Sequence, residues 1–473
     1  MLEDRDMEKW FSDFLMDAND FLYSKFLIVV LIAVGLYFTV RTRFVQIRLF
    51  PESLKVVREK SVEEGSISSF QALMIATASR VGTGNIAGVS TAIVMGGPGA
   101  LFWMWIMAVV GSASAFIEST LAQVYKERDG KIFKGGPAYY IQRALGARWL
   151  GIIFAVLLIL TFAFGFNGLQ SFNIASAFEY YVPDFANSNV PMIIGVIVAI
   201  AAAILFFGGT HKISKISSIL VPIMAGLYIL IGLIIFFMNI GYLPEAMGIV
   251  MKEAFDWESI FGGFAGSCVV LGIKRGLFSN EAGMGSAPNA AAAADVSHPA
   301  KQGLVQVLSV FIDTLLICST TAFIVLLTNE YTVGGDLNGI PLVQQSVASV
   351  FGEVGIHFIT VAICLFAFTS LIGNYFYAEA NIKFISENKV FMFIFRILAI
   401  LMIFYGAQND LQTAWNLADV IMGLMATVNI IAIVLLGGIA IKVLKDYEEQ
   451  KSQGLNPVFK AEKLGIHNTD LWK

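Results

Sequence analysis

Charge is scarce in this chain. Only 14% of its 473 residues are Asp, Glu, Lys or Arg, where a soluble domain carries about a quarter. Cysteine and histidine are scarcer still. Cys268, Cys318 and Cys364 all lie in apolar segments, and the histidines are His211, His298, His357 and His467. Three thiols in apolar surroundings argue against a disulfide framework, and no CxxC or His-rich pairing suggests a metal centre. No histidine stands near a nucleophile in sequence, which weakens a hydrolase reading. The net charge of -4 gives no reason to expect a nucleic-acid partner. A basic n-region is missing too: residues 1–20 carry seven acids against Arg5 and Lys9, so the first apolar run is expected to stay as an anchor.

What the chain has instead is apolar length. Hydrophobic residues make up 57% of it and mean hydropathy is +0.74. Runs long enough for a hydrocarbon core of about 30 Å are expected at 22–40, 67–95, 99–125, 149–181, 190–208, 214–238, 259–294, 301–328, 354–386, 389–407 and 411–443. The expected fold is therefore an all-α polytopic membrane protein of eleven spans. Twenty-three Lys and Arg fall in alternate connections on one side and three on the other. The positive-inside rule then puts the N-terminus outside and the C-terminus in the cytoplasm of a cell membrane.

Setting aside residues 1–66, which hold the extra first span and a basic linker, ten spans remain. They divide into five at 67–238 and five at 239–443, followed by a charged tail, 444–473, expected to be only partly ordered. Five is odd, so the second set must be inverted relative to the first. The first span of each set is poor helix: one contains Gly82-Thr83-Gly84, the other Gly272-Ile273-Lys274-Arg275-Gly276 and then Gly283 to Pro288. Gly costs about 1 kcal/mol relative to Ala inside a helix, and interrupted segments at matching positions of two halves point to a transporter's binding site. Close helix packing is the alternative use of such glycines. Short helices are expected at Ala138–Leu145 and Leu342–Phe351; no separate soluble domain is evident.

A broken helix offers two kinds of backbone group. Carbonyls left free at Ala78 to Val81 suit a hard cation, and amides at Thr83 and Gly84, where a second half starts near Asn85, suit a carboxylate. On helix 149–181, Asn167, Gln170 and Asn173 share a face that must avoid lipid. Gln170, at the centre, is the candidate for substrate contact; interhelical hydrogen bonding is the blander use.

The runs R-V-G-T-G-N-I-A-G-V at 80–89, G-G-P-G-A at 96–100, G-G-P-A at 135–138 and G-L-F-S-N-E-A-G-M-G-S-A-P at 276–288 together resemble the alanine or glycine:cation symporter family. The resemblance spans Phe70 to the last helix. It implies a sodium-coupled carrier of small neutral amino acids, with the inverted-repeat fold of the bacterial leucine transporter. It further implies that Ala78 and Val81 give carbonyls to a sodium ion, completed by the Phe366 carbonyl and the hydroxyls of Thr369 and Ser370. Thr83 and Gly84 would take the substrate carboxylate. Hydroxyls in a membrane helix also bond back to their own backbone, which is the competing use of Thr369 and Ser370.

Sodium is thus the expected co-transported ion, with no organic cofactor and no enzymatic step. Backbone at Gly272, Ile273 and Gly276 is expected to close the pocket around the substrate side chain. Arg275 or Glu281, in a row with Lys274, is a candidate for an inner gate. Arg80, Glu118, Asp313 and Asp419 have no partner readable from sequence. A proton-coupled carrier using Glu118, Asp313 or Asp419 is the nearer rival, and a membrane enzyme or receptor the more distant one.

Overall fold

Ser68 fixes where the first broken segment begins. Its hydroxyl accepts from the Gln71 amide at 3.2 Å, while the Gln71 side chain accepts from the Ser68 amide at 2.9 Å. This reciprocal cap satisfies donors that a helix start would leave open. Helix Ser69–Arg80 follows, then a single 3-10 turn at Thr83–Asn85, then helix Ala87–Gly96. The break falls where the glycines stand.

A computed structural model describes residues 13–130, 132–258, 267–408 and 411–472. Among them, eight helices are long and apolar enough to cross a membrane: Asp13–Arg41, Ala100–Val124, Arg148–Tyr181, Lys212–Met238, Pro299–Thr328, Glu353–Ile385, Lys389–Gly406 and Trp415–Ser452. Val190–Phe206 is apolar but shorter. The two segments read as interrupted appear as helix pairs, Ser69–Arg80 with Ala87–Gly96 and Cys268–Asn280 with Pro288–Ala293. Residues 259–266, where the seventh expected span starts, lie outside the described residues.

Polarity sorts inward. Helix 100–124 buries Glu118, Ser119, Thr120 and Gln123, whereas Ile197, Ile204, Phe237 and Leu401 on outer helices are more than half exposed. An apolar outside around a polar inside is what lipid selects. Three helices also widen to π-helical turns, at Phe21–Leu27, Leu160–Phe166 and Ile312–Cys318. Such turns frequently mark functional positions.

Several sequence expectations are corrected. Helix 268–280 runs unbroken through Gly272 and Gly276. A Cβ on Gly272 would stand 2.4 Å from the Ala100 carbonyl oxygen, and one on Gly276 3.3 Å from Met107 Cβ. These glycines let two helices touch, and the interruption comes only after Asn280. The tail is not loose. The last helix continues to Ser452, Phe459, Ala461 and Ile466 are buried, and Trp472 Nε1 donates to the Gln123 carbonyl at 2.7 Å. The expected short helices are present as Pro137–Leu145 and Gly339–Phe351. A two-stranded hairpin, Glu127–Asp129 with Ile132–Lys134, precedes the first of them.

Candidate functional site

Where helix 69–80 ends, three oxygens converge. Ser370 Oγ, from helix 353–385, lies 3.0 Å from the Ala78 carbonyl oxygen and 3.5 Å from that of Val81. The hydroxyl has one hydrogen for two acceptors, so at least one carbonyl lone pair faces a second oxygen with no proton between. That arrangement suits a hard cation. Thr369 is turned differently: its hydroxyl donates to the Phe366 carbonyl at 2.9 Å and lies 3.5 Å from Met224 Sδ. Of the five residues expected at the ion, Ala78, Val81 and Ser370 are brought together, while Phe366 and Thr369 bond to one another beside them. Among the described residues no group of three His, Cys, Asp or Glu could hold a metal ion.

On the other side of the break the Thr83 amide donates to Gln170 Oε1 at 3.2 Å. Asn173 Nδ2 donates to the Thr83 hydroxyl at 3.0 Å. Asn167 instead accepts from Asn374 at 3.0 Å, and Asn374 Oδ1 lies 2.8 Å from the Ser79 hydroxyl, whose one proton it shares with Glu281. The row of amides thus faces the broken helix as expected, but only Gln170 and Asn173 reach Thr83. Asn85 is wholly engaged: its Oδ1 caps the Gly82 amide at 2.9 Å, and its Nδ2 donates to Asp313 at 2.6 Å and Ser279 at 2.9 Å. Ser279 also donates to Asp313 at 2.7 Å. Asp313, in its π-helical turn, therefore ties the ends of both broken helices together.

A roof over the break was not foreseen. A Cβ on Gly84 would stand 2.5 Å from Phe278 Cε1. The Phe278 ring packs against Phe166 at 4.6 Å and Trp415 at 4.8 Å between centroids. Arg275 lies 4.1 Å above Trp415. Phe278 sits inside the 276–288 motif, so the motif was the available signal; its direction toward Gly84 was not readable. Ile273 is buried, and its neighbours Gly272 and Gly276 face helix 100–124 rather than this space.

The two gate candidates are set apart by the structure. Arg275 and Glu281 point to different partners. Arg275 makes a two-pronged pair with Asp419, Nη2 to Oδ2 at 2.9 Å and Nη1 to Oδ1 at 3.3 Å, and Lys274 reaches the same carboxylate at 2.7 Å. Lys274 also donates to Asn19 at 2.8 Å, and Tyr23 to the Asp419 carbonyl at 2.9 Å. This cluster lies beside the first residues of helix 13–41. Glu281 stays at the second break, accepting from Ser79 at 2.8 Å and Ser286 at 2.7 Å. Arg80 is buried, with Nη1 donating to Gln306 at 2.9 Å.

A family model described as "Sodium:alanine symporter family" matches residues 7–461. The amino-acid carrier protein AlsT of Bacillus subtilis is 48% identical over 99% of both chains. A probable sodium/glutamine symporter, GlnT, of the same organism is 47% identical over 95% of this chain and 94% of its own. Among solved structures, MhsT in complex with L-phenylalanine superposes with a TM-score of 0.56 at 14% identity, covering 82% of this chain and 99% of that one. At that identity the likeness shows a shared fold, that of the leucine-transporter type.

Proposed function

The chain belongs to the sodium:alanine symporter family, and from that premise we propose that it carries a small neutral amino acid, alanine or glycine, into the cell together with sodium by alternating access. It is a multi-pass membrane transporter and not an enzyme. The observation that carries the proposal is the double use of one break. Carbonyls of Ala78 and Val81 meet Ser370 Oγ on one side, and the Thr83 amide faces an exchangeable partner, Gln170, on the other. Sodium among the first group would hold the break in the shape that presents Thr83 and Gly84 to a carboxylate. Each ligand then raises the other's affinity equally.

Size selection follows from the roof. Phe278 leaves little depth above Gly84, which favours a methyl or hydrogen side chain over the carboxamide suggested by the glutamine-named relative. Because cationic connections gather on one side of the membrane, the N-terminus is assigned outside and the tail to the cytoplasm. Uptake into proteoliposomes tests the coupling. An inward sodium gradient at equal pH should drive alanine accumulation; accumulation that follows only a pH gradient would refute it.

One observation favours a second reading, proton coupling. Asp313 and Glu281 are buried and take their hydrogen bonds from uncharged hydroxyls and amides. The same experiment separates the two.

A further inference from the structure

The two breaks are stabilised by different chemistry. In the second, residues 281–287, Gly283 and Gly285 adopt φ of +81° and +89°, and Glu281 before them is left-handed at +55°. Backbone alternating through this region points successive N–H groups to one side and makes an anion-binding concavity. Its occupant is already part of the chain. Glu118 Oε1, from helix 100–124, accepts from the Gly283 amide at 3.2 Å. Asn429 Nδ2 donates to Oε2 at 2.7 Å and to the Gly283 carbonyl at 2.9 Å. Tyr140, on the short helix 137–145, donates in turn to Asn429 Oδ1. Glu118 has no exposed surface.

We propose that Glu118 is a positioning residue, a resident carboxylate that permanently fills the amide concavity of the second break and leaves only the first break free to receive a substrate carboxylate. At the first break the matching amide, Thr83, is held by the neutral oxygen of Gln170. Glu118 is joined to Gly283 and is also held in place by Asn429, out of reach of water, whereas one hydrogen bond at 3.2 Å joins Thr83 to Gln170. An incoming amino acid can therefore take Thr83 from Gln170, whereas it cannot take Gly283 from Glu118. In the same segment Glu281 accepts from Ser79 and Ser286. Removal of Glu118 should loosen the second break without touching the sodium oxygens. The assignment of the first break to substrate rests on the function proposed above; the resident role of Glu118 does not.

The test is chemical rescue of the full-length protein. Glu118→Ala leaves a carboxylate-sized space lined by the Gly283 amide and Asn429. Formate should raise the melting temperature of purified Glu118→Ala and leave the parent unmoved, with chloride at equal ionic strength ineffective. Sodium-driven alanine uptake should fall about tenfold or more in the variant and recover with formate at an unchanged half-saturating sodium concentration. Glu118→Gln keeps the volume, lacks the charge and offers no space, so its uptake should be reduced and formate should not restore it. Formate shifting parent and variant alike, no shift in either, or parental uptake by Glu118→Gln would overturn the proposal. Should Glu118→Ala fail to fold, Glu118→Gln decides. A parent that transports no alanine would refute the proposed function, and the melting shift would still report on Glu118.

Discussion

The side-chain oxygen of Gln170 lies 3.2 Å from the backbone nitrogen of Thr83, the amide that the proposed function gives to the substrate carboxylate. A charged oxygen placed there by mutation should compete with substrate. Gln170→Glu is expected to lower amino-acid affinity by roughly tenfold to a hundredfold, the range of a charge-assisted hydrogen bond, while the protein remains folded. Substrate-dependent thermal stabilisation measures this. Parental affinity in Gln170→Glu would show that Thr83 does not receive the substrate.

The roof above Gly84 makes a size prediction. Gly84→Ala would drive a methyl into the Phe278 ring and should abolish binding of alanine. Phe278→Leu should widen the space and let glutamine compete with labelled alanine, at a modest packing cost of about 1 kcal/mol. Competition curves identical to the parent's would remove Phe278 from the selectivity account.

How much of this could be read beforehand depends on the scale at which each feature is specified. The first break is local: two glycines, a threonine and an amide within five residues announce it, and Ser68 and Gln71 place the helix before it. Gly272 and Gly276 carry the same local signal with the opposite meaning, because close packing against Ala100 and Met107 needs glycine as much as a break does. Thr369 and Ser370 are adjacent, yet one bonds back to Phe366 and the other reaches across to Ala78. Spacing alone does not say which. Buried charges were legible as important but not as pairs: Arg275 and Asp419 are 144 positions apart, Gly283 and Glu118 165. The order of the tail depends on Trp472 finding a carbonyl on helix 100–124, which tail composition does not reveal.

Lys274 and Arg275 both converge on the carboxylate of Asp419. Removing it leaves two buried cations facing Asn19 and Trp415. Asp419→Asn should destabilise the protein by about 3–5 kcal/mol, the usual cost of breaking a buried pair. Lys274→Met, which removes the uncompensated charge, should be much milder. A thermal melt of each variant distinguishes them; equal melting temperatures would mean the cluster is solvated.

Lys126 lies beyond the end of helix 100–124, buried, with Nζ donating to the Ala294 carbonyl at 2.8 Å. Burial lowers its pKa to about 7, against the opposing pull of Asp295. Between that value and its unfolded pKa near 10.5 the unfolded chain binds more protons, so stability should rise as pH rises through this window. Melting temperatures of parent and Lys126→Gln, compared from pH 7 to 9, should diverge with the parent gaining more. A parallel pH dependence would contradict the assignment.

The most direct test of the central claim is the sodium concentration that half-maximally supports alanine binding, measured for the parent and for Ser370→Ala. Ser370 Oγ is the side-chain oxygen that meets the carbonyls of Ala78 and Val81. Its loss should raise that concentration about tenfold, with less effect from Thr369→Ala, whose hydroxyl bonds to Phe366. Unchanged sodium dependence in Ser370→Ala would contradict the ion site and, with it, the coupling of sodium to the first break.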